Sequence, residues 1–300
     1  MNRTYCSAFL AAVAAALLMG SLCLFVRESH CSAQLCSFSR FSVGLVLIGV
    51  PGLWLAARGK ASLSFSLSAA LSGAGISLCI LNYFLAIQQT SVGIAALLPA
   101  TGPLFAAVWE SLIDRHLPPR RDVGLILLAG TGILCVTLFA GGGRGAGVNP
   151  GMGVFYGFMS GLFYSVYLVL NRRMPASISL LRRTFWQSAA GALILLLPLL
   201  SMPHPLAGLA SGWPYLLGIG ICQGFGVLVL VAYAMRRLSS LEFGIISCLE
   251  PTEAVLLGWA VYAEAVMPGQ WCGFALVLSA LLAKSLLLPR QDASCHPQTS

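Results

Sequence analysis

Ten apolar blocks of about 20 residues recur along this chain, and each can cross a hydrocarbon layer of ~30 Å at 1.5 Å per residue. They run approximately 5–26, 38–57, 63–87, 91–113, 121–140, 151–171, 184–201, 214–235, 241–262 and 268–288. Hydrophobic residues make up 58% of the chain and charged ones 9%, so a water-soluble fold could not clothe its surface. In lipid the backbone must satisfy its own hydrogen bonds, which leaves helices as the element these blocks can form. The expectation is an all-α polytopic membrane protein with ten transmembrane helices. The first apolar run, Ala8 to Val26, exceeds the 7–15 residues of a signal-peptide core and reads as a retained helix.

The net charge of +8 comes from basic residues standing singly or in pairs between the blocks. They form no stripe with interleaved aromatics, so nucleic acid is not an expected partner. Their placement instead follows membrane sidedness. With the N-terminus in the cytoplasm, the cytoplasmic set is Arg3, Arg58, Lys60, Arg115, Arg120, Arg121, Arg172, Arg173, Arg182, Arg183, Arg236, Arg237, Lys284 and Arg290. Only Arg27, Arg40 and Arg144 fall on the opposite side. Short loops hold their basic residues in the cytoplasm, and this pattern also puts the C-terminus there. The ten cysteines lie mostly inside apolar blocks, without CxxC or paired histidines, so neither metal nor cofactor is expected. Cys31 and Cys36 share a short non-cytoplasmic loop, where a disulfide is open.

An internal repeat emerges when Pro103 is set beside Pro251, an offset of 148. Ala86-Ile-Gln-Gln-Thr-Ser then faces Ala234-Met-Arg-Arg-Leu-Ser, while Gly124 and Gly273 lie one residue further apart. Gln88-Gln89 becomes Arg236-Arg237, and Arg120-Arg121 becomes Pro268-Gly269. Five spans per half is an odd number, so equivalent loops lie on opposite faces and basic residues must exchange loops, as in inverted repeats. The expected organisation is a first repeat over 1–140, a linker over 141–150, a second repeat over 151–288 and a tail over 289–300. Gly141 to Gly147 lacks the Lys-Ser/Thr of a phosphate loop, and nothing in the chain suggests ATP hydrolysis.

Three stretches resemble the drug/metabolite transporter superfamily, specifically its EamA-type members with two five-helix repeats. They are AIQQTSVGIAALLPATGP from Ala86, GLFYSVYLVLNRRM from Gly161, and AMRRLSSLEFGIISCLEPTEAVLLGW from Ala234 with its Leu-Glu-Pro signature. The resemblance implies a multi-pass protein of a bacterial inner membrane, with a central cavity between the halves. It further implies secondary transport, often export, of amino acids or related small metabolites. Two features depart from the family pattern: Met19 stands where tryptophan is common, and Asp114-Arg115-His116-Leu117 replaces Gly-Glu-Arg-Leu.

A carboxylate in mid-bilayer is costly unless paired, protonated or facing water. Glu250 and Glu253, three apart in the ninth span, are therefore the leading candidates for binding a coupling proton or a substrate amine. Gln223, Asn82, Tyr164 and Tyr167 are further intramembrane polar residues suited to holding a ligand or to bonding between helices. Pro103 and Pro251 occupy equivalent positions and are expected to act as hinges, since matched interruptions point to a transporter's central site. The acids lie on the second copy alone, so a charge-dependent step is expected there. The competing readings are an intramembrane lipid-modifying enzyme and a non-transporting receptor or assembly subunit. The spans hold no Ser-His or His-x-x-x-His spacing for the former, and the matched prolines and buried acids disfavour the latter.

Overall fold

The computed structural model describes residues 3–115, 120–139, 149–175, 177–234, 246, 249–263 and 267–287. Among the described residues the chain is helical throughout, with no strand. The helices are α1 (Arg3–Gly20), α2 (Leu22–Glu28), α3 (Ala33–Ala57), α4 (Leu67–Gln89), α5 (Val92–Leu97) and α6 (Gly102–Ile113). Next come α7 (Arg120–Leu138), α8 (Pro150–Arg172), α9 (Leu180–Leu200), α10 (Leu209–Gly218), α11 (Val227–Ala234), α12 (Leu249–Tyr262) and α13 (Pro268–Leu287). Six stretches among the described residues are long and apolar enough to cross a membrane: Tyr5–Glu28, Ala33–Ala57, Leu67–Gln89, Pro150–Asn171, Leu180–Leu200 and Leu209–Val231. Leu193, Leu197, Val50, Leu127 and Trp259 are exposed, as expected of surfaces solvated by lipid.

Serines set several helix starts. The side chains of Ser32, Ser66, Ser91 and Ser179 each accept the backbone N–H three residues on, opening α3, α4, α5 and α9. The Ser32 cap corrects the reading of the second span, which begins at Ala33 rather than near residue 38. Arg40 consequently lies about two turns, roughly 10 Å, inside α3, and is not at the outer end of its span, where a start near residue 38 put it. Cys31 and Cys36 are both thiols, and the Ser29 hydroxyl stands 3.4 Å from Cys36 Sγ. Burial raises the Cys31 thiol above its ordinary range, which makes it a poor nucleophile.

Among the described residues three spans are interrupted. The first breaks at Ser21, between α1 and α2. The fourth passes from α5 through a 3₁₀ turn, Pro99–Thr101, into α6. Pro99 opens that turn and Pro103 comes in the first turn of α6, so two missing N–H donors produce the break where one was anticipated. The third interruption is a π-helical segment, Ile219–Gly226, between α10 and α11. Pro251 lies at the start of α12.

Packing runs mainly between the two halves of the chain. α4 lies along α8 and α9, α3 along α9 and the π segment, and α1 along α11 and α12. α5 meets α12, and α7 meets α13. Glycines permit the closest approaches: a Cβ on Gly73 would fall 2.5 Å from the Gln187 carbonyl oxygen, and one on Gly75 3.3 Å from the Tyr167 backbone nitrogen.

Hydrogen bonds sort the loops into two sets. On one face, Arg27 Nη2 donates to the Thr90 carbonyl (2.9 Å) and Gln88 Nε2 to the Cys31 carbonyl (2.8 Å). On the same face the Asn149 N–H donates to Gln89 (3.2 Å), and the Tyr262 hydroxyl to Glu28 (3.2 Å). On the other, Arg182 donates to the Ser64 and Phe65 carbonyls at 2.7 and 2.8 Å, and Arg173 pairs with Asp114 at 2.5 Å. The Arg173–Asp114 pair is solvent-exposed and contributes little to stability.

Candidate functional site

The anticipated polar residues gather in two adjoining clusters inside the bundle. The first forms where the first span breaks. Gln223, only 2% exposed, projects from the π segment and donates through Nε2 to the Leu18 carbonyl. A π turn widens the helix by one residue and is a frequent mark of functional sites. Glu253, one turn into α12, packs against Gly20, where a Cβ would fall 2.5 Å from its Oε2. Gly20 thus leaves the space that the Glu253 carboxyl group fills. Gln223 Oε1 and Glu253 Oε2 are both buried and have no hydrogen-bond partner. Two orphan acceptors flanking a helix break suit a proton or a cationic group, because either one supplies the missing donor.

The second cluster surrounds Glu250. Arg40 from α3, Cys79 and Tyr83 from α4, and Tyr164 from α8 lie within its electrostatic reach. Arg40, Glu250, Tyr164 and Tyr167 are half-buried, not sealed in the core. Tyr164 and Tyr167 stack with ring centroids 5.9 Å apart and planes 15° from parallel. Gly102, at the start of α6, leaves the space that the Tyr164 ring fills. Tyr167 bonds Asn171, which accepts from Gln187 Nε2 at 3.2 Å, and Gln187 Nε2 also reaches Ser72 Oγ at 2.9 Å.

Of the residues singled out from the sequence, Glu250, Glu253, Gln223, Tyr164 and Tyr167 therefore belong to these clusters. Asn82 does not, since its Nδ2 donates back to Leu78 of its own helix at 2.8 Å. The prolines sit beside the clusters through backbone effects, Pro103 next to Gly102 and Pro251 next to Glu250. Arg40 and Tyr83 escaped the sequence reading. The signal for Arg40 was the Ser32 cap, which starts the helix two turns earlier; Tyr83 had none beyond its position beside Asn82. The acids were expected to confine charge to the second half, and Arg40 brings the opposite charge from the first. Among the described residues no group of histidines, cysteines and acids is arranged to hold a metal.

Residues 151–285 match the EamA-like transporter family. An uncharacterized transporter of Archaeoglobus fulgidus is 27% identical over 282 residues, a match covering 91% of this chain and 94% of that protein. A solved crystal structure shares the fold at a TM-score of 0.62 with 22% identity, covering 94% of this chain and 97% of the other. The matched second half, the transporter relative aligned along nearly the whole chain and the apolar helices together support a multi-pass membrane transporter similar to the EamA-type members of the drug/metabolite transporter superfamily.

Proposed function

We propose that the chain is a secondary transporter that exports amino acids or related small metabolites across a bacterial inner membrane by alternating access. The observation carrying this reading is that Glu253 packs on Gly20 and Gln223 bonds Leu18, both at the end of α1, while Glu250, Arg40 and the stacked tyrosines form an adjoining polar cluster. Interrupted helices whose polar groups converge inside a bundle are how transporters present a site to both sides in turn.

Ten spans in two inverted five-helix repeats give this site its framework. Two observations support that arrangement. The packing of α4 on α9 has its counterpart in α3 on the π segment, and α4 on α8 in α1 on α11, as a pseudo-two-fold axis requires. Arg115 and Ala263, which come just after α6 and α12, both adopt left-handed backbone at φ 54° and 49°, 148 residues apart. Such backbone is unfavourable for residues with a Cβ, so its recurrence at the repeat offset is hard to assign to chance.

The loop face carrying Arg58, Lys60, Arg173 and Arg182 is assigned to the cytoplasm with both termini, by the positive-inside rule. In a cysteine-free background, Ser211→Cys is expected to react with a membrane-impermeant maleimide in intact cells. Ser62→Cys is expected to react only after permeabilisation, and the reverse pattern would invert the assignment.

The transport reading is tested by comparing metabolite pools in cells with and without the protein, then by counterflow in proteoliposomes at imposed pH gradients. Substrate-dependent counterflow is the expected result. Its absence for every metabolite that differs between the cells would refute transport.

A further inference from the structure

Arg40 is the intramembrane charge that topology does not explain. It lies two turns inside α3, where an arginine is retained when it answers an ion, a ligand or a buried partner. Its backbone carbonyl lies against Gly224 of the π segment, so its helix packs closely there. The ionisable groups around it are Glu250 of α12, Cys79 and Tyr83 of α4 and Tyr167 of α8. Ion pairs that are merely structural give weak returns in stability, so the cost of burying this charge needs a further explanation.

Two observations point to a ligand. The Tyr83 hydroxyl is buried, in a residue only 4% exposed, and has no hydrogen-bond partner. It lies within reach of both Arg40 and Glu250. Arg40 and Glu250 are only half-buried, so neither is sealed off from a ligand. The planar donor fork of an arginine and a phenolic O–H are matched by the lone pairs of a carboxylate. The opposite half supplies a contrast. Gln187, 147 residues after Arg40, is neutral and satisfied by Ser72 and Asn171.

We propose that Arg40, with the Tyr83 hydroxyl, forms a carboxylate-binding pole beside Glu250, so that the ligand carries a carboxylate beside a cationic group. This rests on the reading of the chain as a transporter and adds the residues that would recognise the substrate's anion.

The test tracks modification of Arg40 by phenylglyoxal in the full-length protein in detergent, resolved by mass spectrometry of its peptide. A pool of the common L-amino acids is compared with a pool of the corresponding amino-acid amides, which keep the amine and lack the anion. The acids are expected to slow Arg40 modification at least fivefold and the amides less than twofold, with exposed Arg115 unaffected by either. Tyr83→Phe is expected to reduce protection by the acids at least threefold while leaving the unprotected rate unchanged. Equal protection by both pools, protection by neither, or an Arg40 that the reagent never reaches overturns the proposal. Counterflow of the acid pool is measured in parallel. Counterflow without Arg40 protection removes the carboxylate pole and leaves transport standing; protection without counterflow supports the pole and removes transport.

Discussion

Proteoliposomes carrying the Glu250→Gln, Glu253→Gln double variant are expected to lose at least tenfold in counterflow and to stop responding to an imposed pH gradient. Glutamine keeps the shape of each side chain and removes its capacity to gain and lose a proton. At Glu253 the affected atom is a buried, unpartnered oxygen packed on Gly20. At Glu250 it is the acid within reach of Arg40. The single variants separate two consequences. Glu250→Gln leaves the intramembrane Arg40 charge without the acid within its reach, so that variant is expected to melt at lower temperature. Glu253→Gln has no cation to strand and is expected to melt with the parent while losing its pH response. A double variant that transports like the parent at every pH would refute the assignment of either acid.

The second large effect is expected at Gly73. A Cβ there meets the Gln187 carbonyl oxygen at 2.5 Å and its Cα at 2.6 Å, and backbone atoms cannot rotate aside as a side chain can. Gly73→Ala must therefore part α4 from α9, at a cost of about 2–3 kcal/mol typical of overpacking. Thermal unfolding monitored by the fraction of monodisperse protein would register it as a clear drop in melting temperature. Gly124→Ala and Gly130→Ala provide the contrast, since no atom lies within 4 Å of either added Cβ. Those two are expected to be neutral, or to stabilise by up to about 1 kcal/mol through helix propensity. A Gly73→Ala protein as stable as the parent would contradict the close approach of the two helices.

What the sequence made legible was local. Block length and scarcity of charge announced membrane helices because the bilayer demands both within one segment. Helix starts and breaks were less visible. The stretch Ser32 to Ser39 is dense in serine, so hydropathy placed the second span too late. In the folded chain those hydroxyls are satisfied on helix carbonyls, Ser37 on Gln34, Ser42 on Phe38 and Ser39 on Leu216 across to α10. They behave as small buried residues, and Arg40 is carried inward with them. Glu250 and Glu253 stood out as isolated intramembrane acids, yet their separate neighbourhoods, Arg40 for one and Gly20 for the other, depend on helices more than 200 residues away. Asn82 carried the same intramembrane signal and resolved into a bond within its own helix. Residue type marks an unusual group, whereas only tertiary contact assigns its partner.

The π segment bears on the history of the chain. Ser32 and Ser179, the caps of α3 and α9, are 147 residues apart, whereas Ala86 and Ala234, at the ends of α4 and α11, are 148 apart. If the halves descend from one duplicated gene, the later copy gained a single residue between those markers. Ile219–Gly226 lies in that interval, and a π turn is the way a helix absorbs one inserted residue without losing its outer ends. Its counterpart in α4 is an uninterrupted helix. The turn that presents Gln223 to Leu18 would then be an acquisition of one copy alone, and deleting one residue from it would rotate α11 by about 100° relative to α10.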